Sequence, residues 1–116
     1  MPYTINEEKS FSQSPEEAYN AVLAAIKGLE GKTLREAKED KQVQIQFNKT
    51  IHGQVLGDRT EFHVQTQASE DGSKVVVEAF PVDAVGRKLQ FGARKGVTRT
   101  VLNWFWAHVE HNLKPE

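Results

Sequence analysis

The stretch Val97-Thr-Arg-Thr-Val-Leu-Asn-Trp-Phe-Trp-Ala-His-Val-Glu-His-Asn-Leu113 decides the fold. When its residues are placed at about 100° intervals, the apolar side chains form one stripe centred on Val101, Phe105 and Val109. This pattern predicts a long amphipathic helix. Trp104 and Trp106 fall on opposite flanks of Phe105, so both can pack against the surface that the stripe covers. A helix of this kind is expected to close one face of a sheet.

A second helix is predicted near the start of the chain by Ser14-Pro15-Glu16-Glu17. Ser14 can cap the helix, Pro15 suits the first helical position, and Glu17 completes a capping box. Apolar residues then recur at helical spacing as far as Leu29. Gly28 and Gly31 lie on either side of the expected helix end.

The rest of the chain carries the alternating apolar and polar pattern of strands with one buried face. An opening strand precedes the first helix, and four more strands lie between the two helices. The expected strands are Tyr3–Phe11, Lys32–Lys38, Gln42–Ile51, Thr60–Ala68 and Val75–Val82. Asp71-Gly72 predicts a hairpin turn, and the glycines between His52 and Arg59 predict a turn or a bulge.

These elements define an α+β fold in the order strand, helix, four strands, helix. Because each helix has a single apolar stripe and the sheet a single apolar face, both helices are expected on the same face of a twisted antiparallel sheet. The 116 residues, with no linker or internal repeat, are expected to form a single domain, 1–116.

Composition narrows the class of protein. The apolar fraction of 38% and the charged fraction of 27% are those of an ordinary globular chain. No apolar run approaches the roughly 20 residues that a membrane span requires. The first nine residues lack the pattern of a signal peptide, which favours the cytoplasm. The chain has no cysteine, so disulfides and thiolate chemistry are excluded.

Charge is unevenly distributed along the chain. Between Ala84 and Val109 there are five basic residues and no acidic one, whereas the rest has ten basic and sixteen acidic residues. The basic residues are Arg87, Lys88, Arg94, Lys95 and Arg99. They suggest an anion-binding surface for nucleic acid, anionic lipid or an acidic protein, with Gly92–Gly96 able to offer backbone N–H groups. The alternative, which we favour, is a solvated segment leading into the last helix.

The order of elements and the helix start Ser14-Pro15-Glu16-Glu17-Ala18-Tyr19 resemble START-like, polyketide-cyclase-like helix-grip domains. In that family a curved antiparallel sheet wraps a long C-terminal helix and often encloses an apolar ligand. The chain differs in having about five strands rather than six or seven. Phe91-Gly92-Ala93-Arg94-Lys95 also resembles small uncharacterised bacterial domains, and Leu56-Gly57-Asp58-Arg59 matches them in part. The same order is similar to the TATA-binding-protein-like fold.

The resemblance and the tryptophan-flanked helix favour a non-enzymatic domain that binds a small, largely apolar molecule between the last helix and the sheet. The expected ligand-binding residues are Trp104, Trp106, Phe105, Phe47 and Phe62. Anion, nucleic-acid or protein binding through residues 87–99, and a general protein–protein interaction module, are the alternatives; nucleic acid is the less favoured partner. The pattern does not indicate an oligomeric state.

No constellation typical of catalysis, a cofactor or a metal is evident. The four histidines, His52, His63, His108 and His111, do not form a metal-binding motif. Glu78 interrupts the most apolar strand, so its carboxylate is either buried and a candidate site or exposed to water. We favour the exposed interpretation, because Val75, Val77 and Ala79 then form the buried face.

Overall fold

Five antiparallel strands form the main sheet of the computed structural model, which describes residues 3–89 and 96–113. Their spatial order is β1-β7-β6-β3-β2, and each strand pairs antiparallel with its neighbours. A separate two-stranded ribbon pairs β4 with β5. The strands are β1 Ile5–Phe11, β2 Lys32–Ala37, β3 Gln42–Phe47, β4 Thr50–Ile51, β5 Gln54–Val55, β6 Arg59–Ser69 and β7 Gly72–Val82.

The sheet has one buried and one solvent-facing side, as the alternation predicts. Ile45, Phe62 and Ala79 are direct partners in a row across β3, β6 and β7, and each is fully buried. The next row along contains Gln44, His63 and Glu78. Because adjacent residues of a strand point to opposite sides, this second row lies on the outer face.

The first helix, α1, runs from Pro15 to Gly28 and begins as predicted. The Ser14 hydroxyl accepts a hydrogen bond from the backbone N–H of Glu17 at 3.2 Å, and the Glu17 carboxylate accepts one from the Ser14 N–H at 3.2 Å. These reciprocal bonds satisfy amide groups that have no partner inside the helix.

The end of α1 lies where the glycines predict it, but the glycines have a different role. Glu30 adopts the left-handed conformation, with φ 61°. Glu30 and Gly31 donate backbone hydrogen bonds to the carbonyls of Lys27 and Ile26 at 3.1 and 2.8 Å. This is a Schellman motif with glutamate at the position that glycine usually occupies. Gly31 is required for close packing instead: a Cβ there would lie 2.7 Å from the Phe47 ring.

The second helix, α2, spans Val97–Leu113 and packs as its stripe predicts. Val101, Phe105 and Val109 are fully buried. The two tryptophans differ, however, because Trp106 is buried and Trp104 is only partly so. The two flanks of the stripe therefore meet different surroundings.

A single core joins both helices to the same face of the sheet. At its centre the rings of Phe47, Phe62 and Phe105 make consecutive edge-to-face contacts, with centroid separations of 4.9 and 5.2 Å. The predicted two-layer α+β architecture is confirmed.

The main difference from the predicted elements lies after β3, which ends at Phe47 instead of continuing to Ile51. His52 and Gly53 both have positive φ, 50° and 80°, as a tight two-residue hairpin turn requires. The chain therefore folds back as the ribbon β4–β5. Ile51 still points inward and is buried. At the start of the chain, β1 begins at Ile5 rather than Tyr3.

Candidate functional site

Polar contacts with the edge strand β1 hold one flank of α2. Glu7 accepts hydrogen bonds from the Trp106 indole N–H and from the Arg99 guanidinium, each at 2.8 Å. Lys9 forms an ion pair with Glu110 at 2.8 Å, and its ammonium lies 5.3 Å from the centroid of the Trp106 ring. The Trp106 side chain therefore lies in the contact between β1 and α2.

Glu7 is the ionisable group most affected by these contacts. Partial burial acts to raise the pKa of its carboxyl, but the hydrogen bonds from Arg99 and Trp106 and the nearby positive charges outweigh burial. The net result is a pKa below the ordinary value. The carboxylate is therefore held in its charged form against α2.

The opposite flank of α2 borders a cleft of about 320 Å³. Its walls come from the end of α1, the β4–β5 ribbon and one side of α2. The lining residues are Leu29, Ile51, His52, Gln54, Trp104, Ala107 and His108. A volume of this size is at the lower end of the range typical of small-molecule sites. We name this feature the α2 cleft.

The ribbon forms its wall of the α2 cleft because His52 ties it to the end of α1. The Nε2 atom of His52 lies 2.6 Å from the Gly28 carbonyl oxygen. A carbonyl only accepts, so this nitrogen carries the proton. The backbone N–H of His52 donates to Glu30 Oε1 at 3.0 Å, and its Nδ1 lies 3.6 Å from Glu30 Oε2. Both ring nitrogens of His52 thus face protein acceptors.

His108 reaches the α2 cleft because Gly28 has no side chain. A Cβ at Gly28 would lie 2.9 Å from Nδ1 of His108, closer than such atoms normally approach. The imidazole is partly buried, and it has no hydrogen-bond partner among residues 3–89 and 96–113. Trp104 lies one helical turn earlier on the same side of α2, and its indole N–H likewise has no hydrogen-bond partner among these residues.

Of the five residues expected to bind a ligand, the α2 cleft contains Trp104 alone. Phe47, Phe62 and Phe105 are fully buried and fill the space between α2 and the sheet, while Trp106 lies on the other flank. A ligand in contact with the three phenylalanines would have to displace their packing. Sequence reasoning missed the contributions of Leu29, Ile51, His52 and Gln54. The His52-Gly53 turn within an alternating segment is the signal that could have located the ribbon.

The residues of the expected anion-binding segment make separate internal contacts where the structure describes them. Arg99 pairs with Glu7 on the helix side of the sheet. The Lys88 ammonium lies 4.4 Å from the centroid of Phe80, which belongs to the outer face. The backbone N–H of Arg87 donates to Asp83 at 2.9 Å, a bond that lowers the pKa of this carboxyl. Arg94 and Lys95 lie outside the described residues.

The outer face of the sheet carries a histidine–carboxylate pair. His63 Nε2 lies 2.6 Å from Glu61, and the imidazole ring meets the Phe80 ring at 5.3 Å. The Glu78 side chain is 44% exposed, which confirms the exposed interpretation of this residue. Within residues 3–89 and 96–113, no group of three acidic or histidine side chains has the geometry to hold a metal ion.

No protein-family model matches the chain, and no curated protein sequence matches it either. Several solved structures, however, do match it. Ara h 8.0201, which has a Bet v 1-like, START-type fold, is 14% identical with a TM-score of 0.66, over 96% of this chain and 97% of that one. A protein from Chromobacterium violaceum is 11% identical with a TM-score of 0.63, over the whole of both chains. A Staphylococcus aureus protein of unknown function is 11% identical with a TM-score of 0.59, over 94% and 91%.

At these identities the likeness concerns the fold alone. It supports a small α+β domain of the helix-grip type, in agreement with the resemblance noted from the sequence. None of the helices described combines the length and the apolar character needed to cross a membrane.

Proposed function

We propose that this protein is a small-molecule binding domain that takes a largely apolar ligand in the α2 cleft and does not transform it. The observation that carries the proposal is the cleft itself, in which Trp104 and His108 of α2 face the ribbon across a lining that is mainly apolar. Sites for small molecules are typically concave and apolar, with a few polar groups that orient the ligand.

The position of the cleft within the fold also supports the proposal. Helix-grip domains often enclose an apolar ligand beside the C-terminal helix, and the α2 cleft adjoins that helix. Here the direct contact between α2 and the sheet is filled by Phe62 and Phe105, whose ring centroids are 5.2 Å apart. The accessible apolar surface of α2 therefore includes its Trp104 flank, where Leu29 and Ile51 contribute aliphatic side chains.

The two tryptophans make the proposal directly testable. Trp106→Phe leaves Trp104 as the sole indole reporter, and Trp104→Phe leaves Trp106. Both variants would be screened by intrinsic fluorescence against a lipid extract and a panel of hydrophobic dyes. A ligand in the α2 cleft should change the emission of the Trp106→Phe variant strongly. It should bind the Trp104→Phe variant more weakly, because that variant has lost a lining side chain.

The Trp104→Phe variant is also the matched control. Its remaining Trp106 is hydrogen-bonded to Glu7 on the other flank of α2, so its emission should change little. A flat response of both variants across the whole screen would contradict ligand binding. An equal response of both would place the ligand elsewhere than in the α2 cleft.

A further inference from the structure

Among the residues that the structure describes, those that line the α2 cleft include no aspartate, glutamate, lysine or arginine. The Glu30 carboxylate contacts the lining residue His52: it accepts the His52 N–H at 3.0 Å and lies 3.6 Å from the His52 ring. A charged ligand group that leaves water for such a surface gains no opposite charge in return, and its desolvation is costly. The lining therefore disfavours organic ions.

The last backbone carbonyls of α1, beside the α2 cleft, already accept hydrogen bonds. The Ala25 carbonyl accepts a hydrogen bond from the backbone N–H of Leu29. The Ile26 carbonyl accepts one from Gly31, and the Lys27 carbonyl accepts one from Glu30. The Gly28 carbonyl accepts from His52. These four carbonyls therefore each already accept a hydrogen bond from the protein, which weakens the usual attraction of a helix C-terminus for cations.

Two side chains of α2 and one of the ribbon retain unused hydrogen-bonding capacity. These are the imidazole of His108, the indole N–H of Trp104 and the exposed amide of Gln54, which have no partner among the residues that the structure describes. His108 and Trp104 lie one turn apart on α2, and the imidazole is the more versatile of the two because it offers one donor and one acceptor.

We infer that the ligand of the α2 cleft is an uncharged apolar molecule that carries one hydroxyl or carbonyl oxygen, and that His108 binds this oxygen. The inference rests on the proposed function and specifies its ligand class. The apolar body packs against Trp104, Leu29 and Ile51, while the oxygen meets the imidazole of His108, which has no hydrogen-bond partner within residues 3–89 and 96–113.

Four probes with the same ring system test this inference: 2-naphthalenemethanol, 2-methylnaphthalene, 2-naphthoate and 2-naphthylmethylammonium. Their affinities would be measured by calorimetry at near-neutral pH with the full chain. The alcohol should bind about three- to tenfold more tightly than the methyl compound, as one additional hydrogen bond provides. Both ions should bind at least about tenfold more weakly than the alcohol.

The His108→Phe variant separates recognition by the imidazole from simple apolar binding. Phenylalanine keeps a flat ring against Gly28 but cannot form the hydrogen bond, so the preference for the alcohol over the methyl compound should disappear. His111→Phe, which changes an exposed histidine on the same helix, should retain it.

Three outcomes are decisive for the inference. Binding of either ion as tight as that of the alcohol would overturn the uncharged class. A preference for the alcohol that survives in His108→Phe would overturn the role of His108. Failure of all four probes to bind the folded protein would overturn the inferred ligand class, whereas the proposed binding function is contradicted only by a flat response in the fluorescence screen.

Discussion

Among single residues, Phe105 lies at the centre of the contact between the two layers. Its side chain is fully buried against Phe62 and within 5.5 Å of Trp106, measured between ring centroids. Phe105→Ala should lower the free energy of unfolding by about 3–5 kcal/mol, since it removes apolar contacts and leaves a cavity. A denaturant melt measures this loss, with Asn103→Ala on the exposed side of α2 as control. A loss below about 1 kcal/mol would place the apolar stripe elsewhere.

Glu7 contributes to stability in a pH-dependent way. Its carboxyl has a pKa below the ordinary value of 4.5 in the folded protein, so its contribution is complete above pH 4.5 and is lost as the pH falls through the folded-state pKa. Glu7→Gln should cost about 1 kcal/mol at neutral pH, because the ion pair with Arg99 disappears.

Urea melts at a series of pH values measure the effect of Glu7→Gln. The difference from the wild type should shrink as the pH is lowered below 4.5. Glu8→Gln is the matched control, because Glu8 is on the outer face and its side chain is 59% exposed. A difference for Glu7→Gln that stayed constant across this pH range would contradict the role of its charge.

At the scale of elements, α1 depends on its two ends. Ser14 satisfies the backbone N–H of Glu17 at the helix start. Ser14→Ala should therefore destabilise the protein by about 1 kcal/mol. Thermal unfolding followed by circular dichroism checks this value, and Ser12→Ala, outside the capping box, should have little effect. Equal melting temperatures for Ser14→Ala and the wild type would mean that the capping box contributes nothing.

The other end of α1 depends on close packing against β3. A Cβ at Gly31 would lie 2.7 Å from Phe47 and 2.9 Å from Ile45. Gly31→Ala should therefore cost about 1–3 kcal/mol through overpacking of the core, which a denaturant melt measures. Lys32→Ala, at the next and exposed position, should be close to neutral. Unchanged or increased stability of Gly31→Ala would show that the helix end and β3 are not held this close.

At the scale of the whole molecule, local patterns predicted the fold far better than the site. The helical stripe through Val101, Phe105 and Val109 shows which side of α2 is buried. The alternation in β3, β6 and β7 does the same for each strand. A helical layer packed on one face of a sheet is the simplest arrangement that buries all of these apolar faces. The capping box of Ser14 and Glu17 is likewise a local signal. These features depend on neighbours in sequence, and the structure confirms them.

The α2 cleft depends on contacts that no local pattern encodes. It forms because the ribbon folds back at His52 and bonds to Gly28, 24 residues earlier in the chain. Trp104 and Trp106 are equivalent in the helical pattern. The contacts of Trp106 with Glu7, 99 residues away, and with Lys9 distinguish them. Fold prediction rested on periodicity, whereas the site required knowledge of which distant residues meet.

The most direct test of a ligand site on the Trp104 flank of α2 is a proton–nitrogen NMR titration with a ligand found in the screen. The indole N–H signals of the two tryptophans report on the two flanks of α2 within one sample. We expect the Trp104 indole signal and the amide signals of Ile51, His52 and Ala107 to shift in a saturable way, while the Trp106 indole signal stays in place. Shifts centred on Trp106 and the buried phenylalanines, with Trp104 unchanged, would contradict the account and place the ligand inside the core.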